Sequence, residues 1–273
     1  MPFVTTADNT QLYVKVWGTG RPVILIHGWP LSADSWDDQA LALGTAGYRV
    51  IAYDRRGFGR SSQPWNGYHY DTLADDLAAV IEQTDAKDIT LVGFSMGGGE
   101  VARYMSRHAG KGVVQAGLIS SILPFRLKTS DNPSGTEQAA FDTTAQALKD
   151  DRPKFLSGFF NNFFGVTPEH QAVSEELLQW ARGVSLQASL KATLGSAKAF
   201  SSTDFRPDLS AFKVPTLIIH GTADKIVPLE ASSRLAAQGI AQSRLKTYEG
   251  APHGLFATHK NELTQDLLDF VKQ

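Results

Sequence analysis

Residues 89–101 read Ile-Thr-Leu-Val-Gly-Phe-Ser-Met-Gly-Gly-Gly-Glu-Val. Ile89 to Phe94 form an apolar run without alternation, the pattern of a strand covered on both faces of a parallel sheet. After Met96 the spacing becomes helical, with Val101, Tyr104 and Met105 on one side. Ser95 therefore occupies a sharp strand-to-helix turn within Gly93-Phe94-Ser95-Met96-Gly97. Glycine is needed at 93 and 97 because a larger residue would strike neighbouring backbone inside such a turn. Gly98 and Gly99 are poor helix formers, and their position predicts the close approach of another element.

Outward from this turn the chain alternates. Strands are expected at Gln11–Val16, Val23–His27, Val50–Tyr53, Val113–Ser120, Thr216–His220 and Arg244–Tyr248. Between and after them lie helical stripes: Leu73, Leu77, Val80 and Ile81 behind a capping Asp71, a helix from about Pro228, and a last one through Leu263, Leu267, Leu268 and Phe270. Such alternation specifies an α/β fold, a wound and mostly parallel sheet flanked by helices. From Pro124 to Phe205 no buried strand is evident, and helical patterns dominate, including Leu186, Leu190 and Leu194 in i, i+4 register. The expected organisation is a core of residues 1–123 and 206–273 with a helical cap insertion at 124–205. The cap holds nine of the fifteen phenylalanines, which either form its own core or wall an apolar pocket against the sheet. Phe125, Phe159 and Phe163 are assigned to that wall, with Ile226 and Val227 closing its floor.

Composition narrows the chemistry. Lys and Arg number 26 against 28 Asp and Glu, so no basic field favours nucleic acid or an anionic membrane. Cysteine is absent, which removes disulfide frameworks, Cys-ligated metals and cysteine nucleophiles together. The aliphatic runs fall far short of the ~20 residues a spanning helix needs. The first ten residues carry neither a basic nor an apolar signal region, so a cytoplasmic location is expected. A dinucleotide site is not expected, because neither Gly57-Phe58-Gly59 nor the Ser95 turn supplies a full G-x-G-x-x-G after a strand.

A serine hydroxyl needs a base to take its proton and a carboxylate to orient that base. Of the seven histidines, His253 stands in Ala251-Pro252-His253-Gly254, between the last strand and the last helix. That loop opens at the carboxyl edge of the sheet, the edge that presents Ser95. Asp224, in Gly221-Thr222-Ala223-Asp224, follows a strand at the same edge; Asp204 and Asp208 are its rivals but follow none. The order Ser95, Asp224, His253 is the one a serine on such a turn takes in a wound sheet. The oxyanion formed on attack needs two backbone donors: the N–H of Met96, after the nucleophile, and one from the loop after Val23–His27. Pro30 has no N–H, so Trp29 is the second donor. Asp54-Arg55-Arg56-Gly57-Phe58-Gly59-Arg60-Ser61 reads as a structural turn whose charges pair locally.

Taken together, His27-Gly28-Trp29-Pro30, the segment Asp54 to Ser61, Gly93 to Gly99, Thr203-Asp204-Phe205-Arg206 and Ala251-Pro252-His253-Gly254 resemble the cofactor-free haloperoxidases, or non-haem chloroperoxidases. These are close relatives of bacterial aryl esterases in the α/β-hydrolase superfamily. The resemblance spans nearly the whole chain and is weakest at 128–187. It implies the α/β-hydrolase fold, the same triad and oxyanion donors, no metal or other cofactor, and a homo-oligomer, trimeric or hexameric. The expected activity is hydrolysis of short-chain or aryl carboxylic esters through an acyl-serine. Perhydrolase activity accompanies it, with hydrogen peroxide as second acceptor and carboxylic acids as acyl donors. Pro30 bears on peroxide: its ring restricts Trp29 to extended conformations and so sets the direction of the Trp29 carbonyl. Amide, lactam, lactone or C–C bond hydrolysis on the same triad stays open, as does a ligand receptor with low turnover. An aspartate-nucleophile dehalogenase does not fit, since the turn holds serine.

Overall fold

The computed structural model describes residues 2–273. Its centre is an eight-stranded sheet: β1 (Phe3–Thr5), β2 (Gln11–Trp17), β3 (Pro22–Ile26), β4 (Arg49–Tyr53), β5 (Ile89–Phe94), β6 (Val113–Ile119), β7 (Thr216–Gly221) and β8 (Ser243–Tyr248). The spatial order is β1-β2-β4-β3-β5-β6-β7-β8. Only the β1–β2 and β2–β4 pairings are antiparallel. The expected strands stand within a residue or so of their observed bounds, while β1 escaped the sequence reading. Strands β3, β5 and β7 are buried along their whole length because helices cover both faces.

The pleat sorts the core. Ile24, Ile26 and Leu91 face one side with Leu73, Leu77 and Val101, from α2 (Tyr70–Gln83) and α3 (Met96–Arg107). Val23, Leu25 and Val92 face the other with Ala40, Leu43, Leu263 and Leu267. Those belong to α1 (Asp37–Thr45) and, near the C-terminus, Lys260–Val271. The cap of α2 differs from expectation. His69, not Asp71, stands at the N-cap and accepts from the Thr72 N–H at 3.4 Å. Asp71 lies inside the first turn and pairs with Arg103.

Between β6 and β7 run α4 (Gln138–Phe164), α5 (Glu175–Leu186) and α6 (Leu190–Ser202). Helix α4 breaks at Asp151, with φ −155° and ψ 82°, two residues before Pro153. Proline supplies no N–H to the ladder, and Asp151 restarts the helix by accepting from the Lys154 N–H at 3.0 Å. The Leu186–Leu190–Leu194 register is not one helical face. Ser189 caps a new helix, accepting from the Ala192 N–H at 3.0 Å, so Leu186 and Leu190 fall on separate helices and stay exposed. After β7 come α7 (Ser233–Gly239), α8 (Leu255–Thr258) and α9 (Lys260–Val271). The helix expected from Pro228 starts instead as a 3-10 turn at Leu229–Ala231.

Candidate active site

Ser95 sits between β5 and α3 at φ 53°, ψ −115°, a conformation that non-glycine residues rarely adopt. The turn is as crowded as its glycines imply. A Cβ on Gly93 would meet the Gly97 carbonyl oxygen at 2.5 Å, and one on Gly97 the Ile26 carbonyl oxygen at 2.5 Å. The close approach predicted at Gly98 and Gly99 comes from the Ser121 side chain and from the rings of Tyr70 and Phe205.

His253 follows β8 and Asp224 follows β7, and the two loops meet over Ser95. The His253 Nε2 lies 2.9 Å from Ser95 Oγ, and its Nδ1 lies 2.6 Å from Asp224 Oδ2. All three side chains are buried. Asp224 Oδ1 accepts from the backbone N–H groups of Ile226 and Val227 at 2.9 and 2.8 Å. Burial alone would raise the Asp224 pKa; His253, His220 and their hydrogen bonds outweigh it and hold the carboxyl well below its usual range. The carboxylate thus stays ionised and takes the Nδ1–H of His253, leaving Nε2 as acceptor for the serine hydroxyl. The rings of Phe163 and Phe94 stand 4.9 and 5.1 Å from the His253 ring and fix its plane. Gly254 admits this packing: a Cβ there would meet the Phe164 ring at 2.5 Å.

His220 is a member of the site that sequence reasoning left without a role. Its Nε2 lies 2.7 Å from the Val227 carbonyl and 3.2 Å from Asp224 Oδ2, and Ser233 Oγ lies 2.7 Å from Nδ1. It props the Asp224 loop from below. The only signal was its place at the end of β7, four residues before Asp224.

Trp29 and Met96 both border the cavity that Ser95 and His253 open into. Neither backbone N–H has an acceptor among the described residues, as oxyanion donors require. The Trp29–Pro30 bond is cis. Trp29 Nε1 donates to the Thr193 carbonyl at 3.1 Å, tying this loop to α6. Below it, Arg55 donates to the His27 carbonyl at 2.6 Å and pairs with the buried Glu100, which also accepts from Tyr53 Oη at 2.6 Å. Burial drives the His27 pKa well down, so its ring is neutral. Its Nε2 accepts the Arg55 N–H at 3.0 Å. Arg56 pairs with Asp76 and Asp8, and Arg60 with Asp54 and Asp34. The charges of this turn are thus all paired within the protein, but only Arg60–Asp54 lies inside the turn; the others tie it to α3, α2 and the segments at Asp8 and Asp34.

The cavity measures about 960 Å³ and is lined by Ser95 together with residues of α4 and α6. That is near the upper end of the ~300–1,000 Å³ of small-molecule sites, larger than a short acyl group needs. Phe159 and Ile226 line it, together with Phe141, Phe155 and Phe200. Phe125, Phe163 and Val227 do not, which corrects their assignment. Phe163 is turned toward His253, Phe125 lies under the Arg206 guanidinium at 5.0 Å, and Val227 is committed through its backbone to Asp224 and His220. Among the described residues no group of three His, Asp or Glu is placed to hold a metal ion, and no helix is long and apolar enough to cross a membrane.

The family model described as alpha/beta hydrolase fold matches residues 21–260. A non-heme haloperoxidase from Rhodococcus erythropolis is 42% identical, covering 100% of both chains. A bifunctional esterase/perhydrolase from Acinetobacter calcoaceticus is 40% identical, again over 100% of both. The crystal structure of a bromoperoxidase from Bacillus anthracis superposes with a TM-score of 0.96 at 45% identity, covering 99% of each chain. The resemblance read from the motifs is borne out by these relatives.

Proposed function

The chain belongs to the α/β hydrolase fold family, and from that premise we propose that it is a serine esterase with perhydrolase activity. The observation that carries this reading is the unbroken relay of Ser95 Oγ, His253 and Asp224, with spacings of 2.9 and 2.6 Å, at the floor of a largely apolar cavity. His253 Nε2 takes the Ser95 proton as Oγ attacks the ester carbonyl carbon. The N–H groups of Trp29 and Met96 hold the oxyanion. Collapse breaks the bond to the alkoxy oxygen, which leaves with the proton from His253, and the acyl group remains on Ser95. Water then attacks with His253 as base and releases the acid. Hydrogen peroxide attacking in its place releases the peracid, and a free carboxylic acid can charge Ser95 with loss of water. The peracid, once in solution, transfers an oxygen to halide, giving hypohalous acid and the carboxylate.

The segment 124–205 is the cap of this enzyme, which works as a cytoplasmic homo-oligomer. Steady-state hydrolysis of 4-nitrophenyl esters, with and without peroxide, tests the reading. Ser95→Ala is expected to lower kcat on the order of 10⁴-fold or more with the fold intact. An alanine variant that still turns over, or still labels with a fluorophosphonate, would overturn the assignment of Ser95.

A further inference from the structure

Five cations border the cavity; Lys149, Lys154, Lys198 and Lys225 are exposed, and Arg126 alone of them is partly buried. Arg126 lies two residues past Pro124, on the segment leaving β6. Its side chain donates one hydrogen bond among the described residues, from Nη2 to the Ile226 carbonyl at 2.9 Å. The other enclosed arginines differ: Arg55 has Glu100, and Arg56 has Asp76 and Asp8. Arg126 has no such carboxylate. Protein surrounds its guanidinium on nearly every side, yet the cavity reaches it, for Arg126 shares the lining with Ser95, Ile122, Phe141 and His253. Phe141 presents its ring 6.0 Å from the guanidinium carbon. Burial lowers the Arg126 pKa to about 10, and Asp224 and Tyr70 oppose that shift, so it remains charged at neutral pH. Asp224 is itself occupied by His253, His220 and two backbone N–H groups.

A guanidinium has five N–H donors in a planar fork. With one used on the Ile226 carbonyl and no carboxylate beside it, the remaining donors are open to the cavity, next to an apolar wall. A carboxylate matches that fork in two parallel bonds. We propose that Arg126 recognises a free carboxylate on the substrate, so that the preferred esters are those bearing a second, ionised carboxyl group, such as half-esters of dicarboxylic acids. Ser95 and Arg126 line the same cavity of about 960 Å³, which has the volume for such a chain. This rests on the esterase reading above for the reacting end and adds the anionic end.

The test compares 4-nitrophenyl hemiglutarate with the neutral 4-nitrophenyl 5-methylhexanoate, in which an isopropyl group replaces the carboxylate. Wild type is expected to favour the hemiglutarate. Arg126→Met should lower its kcat/KM tenfold or more and change the neutral ester less than twofold. Arg126→Gln, which keeps a donor for the Ile226 carbonyl without the charge, should behave like Arg126→Met, and Arg126→Lys should recover part of the loss. Equal loss on both esters would make Arg126 a structural pin and overturn the proposal, as would absence of any preference in wild type. Binding of monomethyl glutarate to Ser95→Ala by calorimetry separates the two readings, since it needs no turnover. Tenfold weaker binding after adding Arg126→Met supports the carboxylate site even if hydrolysis fails, and unchanged binding overturns it.

Discussion

At Ser95 the backbone conformation costs about 1–3 kcal/mol relative to a relaxed residue. It persists because Gly93 and Gly97 let the turn close against the Ile26 carbonyl and the Ser95 N–H reaches the Ile119 carbonyl at 2.8 Å. The strained turn aims Oγ at His253. Asp224 contributes in a definite pH window. Because its folded pKa lies below the unfolded value of about 3.9, its stabilisation is complete above that value and is lost only as pH falls further, through the folded one. The role proposed for Pro30 concerns the acceptor instead. The Trp29 carbonyl accepts no hydrogen bond among the described residues, and the proline ring limits where it can point. A bond from peroxide to that carbonyl worth ~1.4 kcal/mol would speed perhydrolysis about tenfold. Pro30→Leu is therefore expected to lower the ratio of peracid formation to ester hydrolysis by about that factor. An unchanged ratio would remove the proline from peroxide selection.

Two helices carry opposite burdens. Near the start of α3, Glu100 reaches down to Arg55 and Tyr53, so the helix behind Ser95 and the loop holding Trp29 share one buried ion pair. Glu100→Ala leaves Arg55 charged and alone in the core, a change that costs about 3–5 kcal/mol. Urea unfolding should show that loss, and kcat should fall more than KM because the His27–Trp29 loop loses its support. Glu100→Gln, which keeps one acceptor oxygen for Arg55 and turns an NH2 donor toward the Tyr53 oxygen, should lie between. In α4 the second half divides by helical periodicity. Phe155 and Phe159 line the cavity, whereas Leu156, Phe160, Phe163 and Phe164 pack into the sheet's second core. The cap phenylalanines are thus both wall and core.

Across the whole molecule the cap is fused to the sheet. Phe160, Phe163 and Phe164 share a cluster with Val23, Leu25 and Phe256, while Ala192 and Phe205 join the cluster on the opposite face. The Gly254 N–H donates to the Phe163 carbonyl at 2.7 Å, so α4 is bonded to the loop that carries His253. Phe163→Ala is expected to cost ~3–5 kcal/mol and to lower kcat by freeing the His253 ring. Calorimetry should show one transition, lower in Tm, because cap and sheet share their cores. Two separated transitions would show that the cap folds on its own.

Apolar runs, glycine spacing and the residues following each strand are local signals. They were enough to specify the parallel sheet, the turn at Ser95 and its order with Asp224 and His253, and to propose Trp29 and Met96 as oxyanion donors. They do not say which residues meet across the chain. The break at Ser189 overrode the Leu186–Leu190–Leu194 spacing, and Phe163 is buried in the second core against His253 instead of lining the cavity. Only the tertiary structure placed His220 under Asp224, through the fold of the loop after β7, and left Arg126 facing the cavity without a carboxylate, because its one partner, the Ile226 carbonyl, is a hundred residues away in sequence.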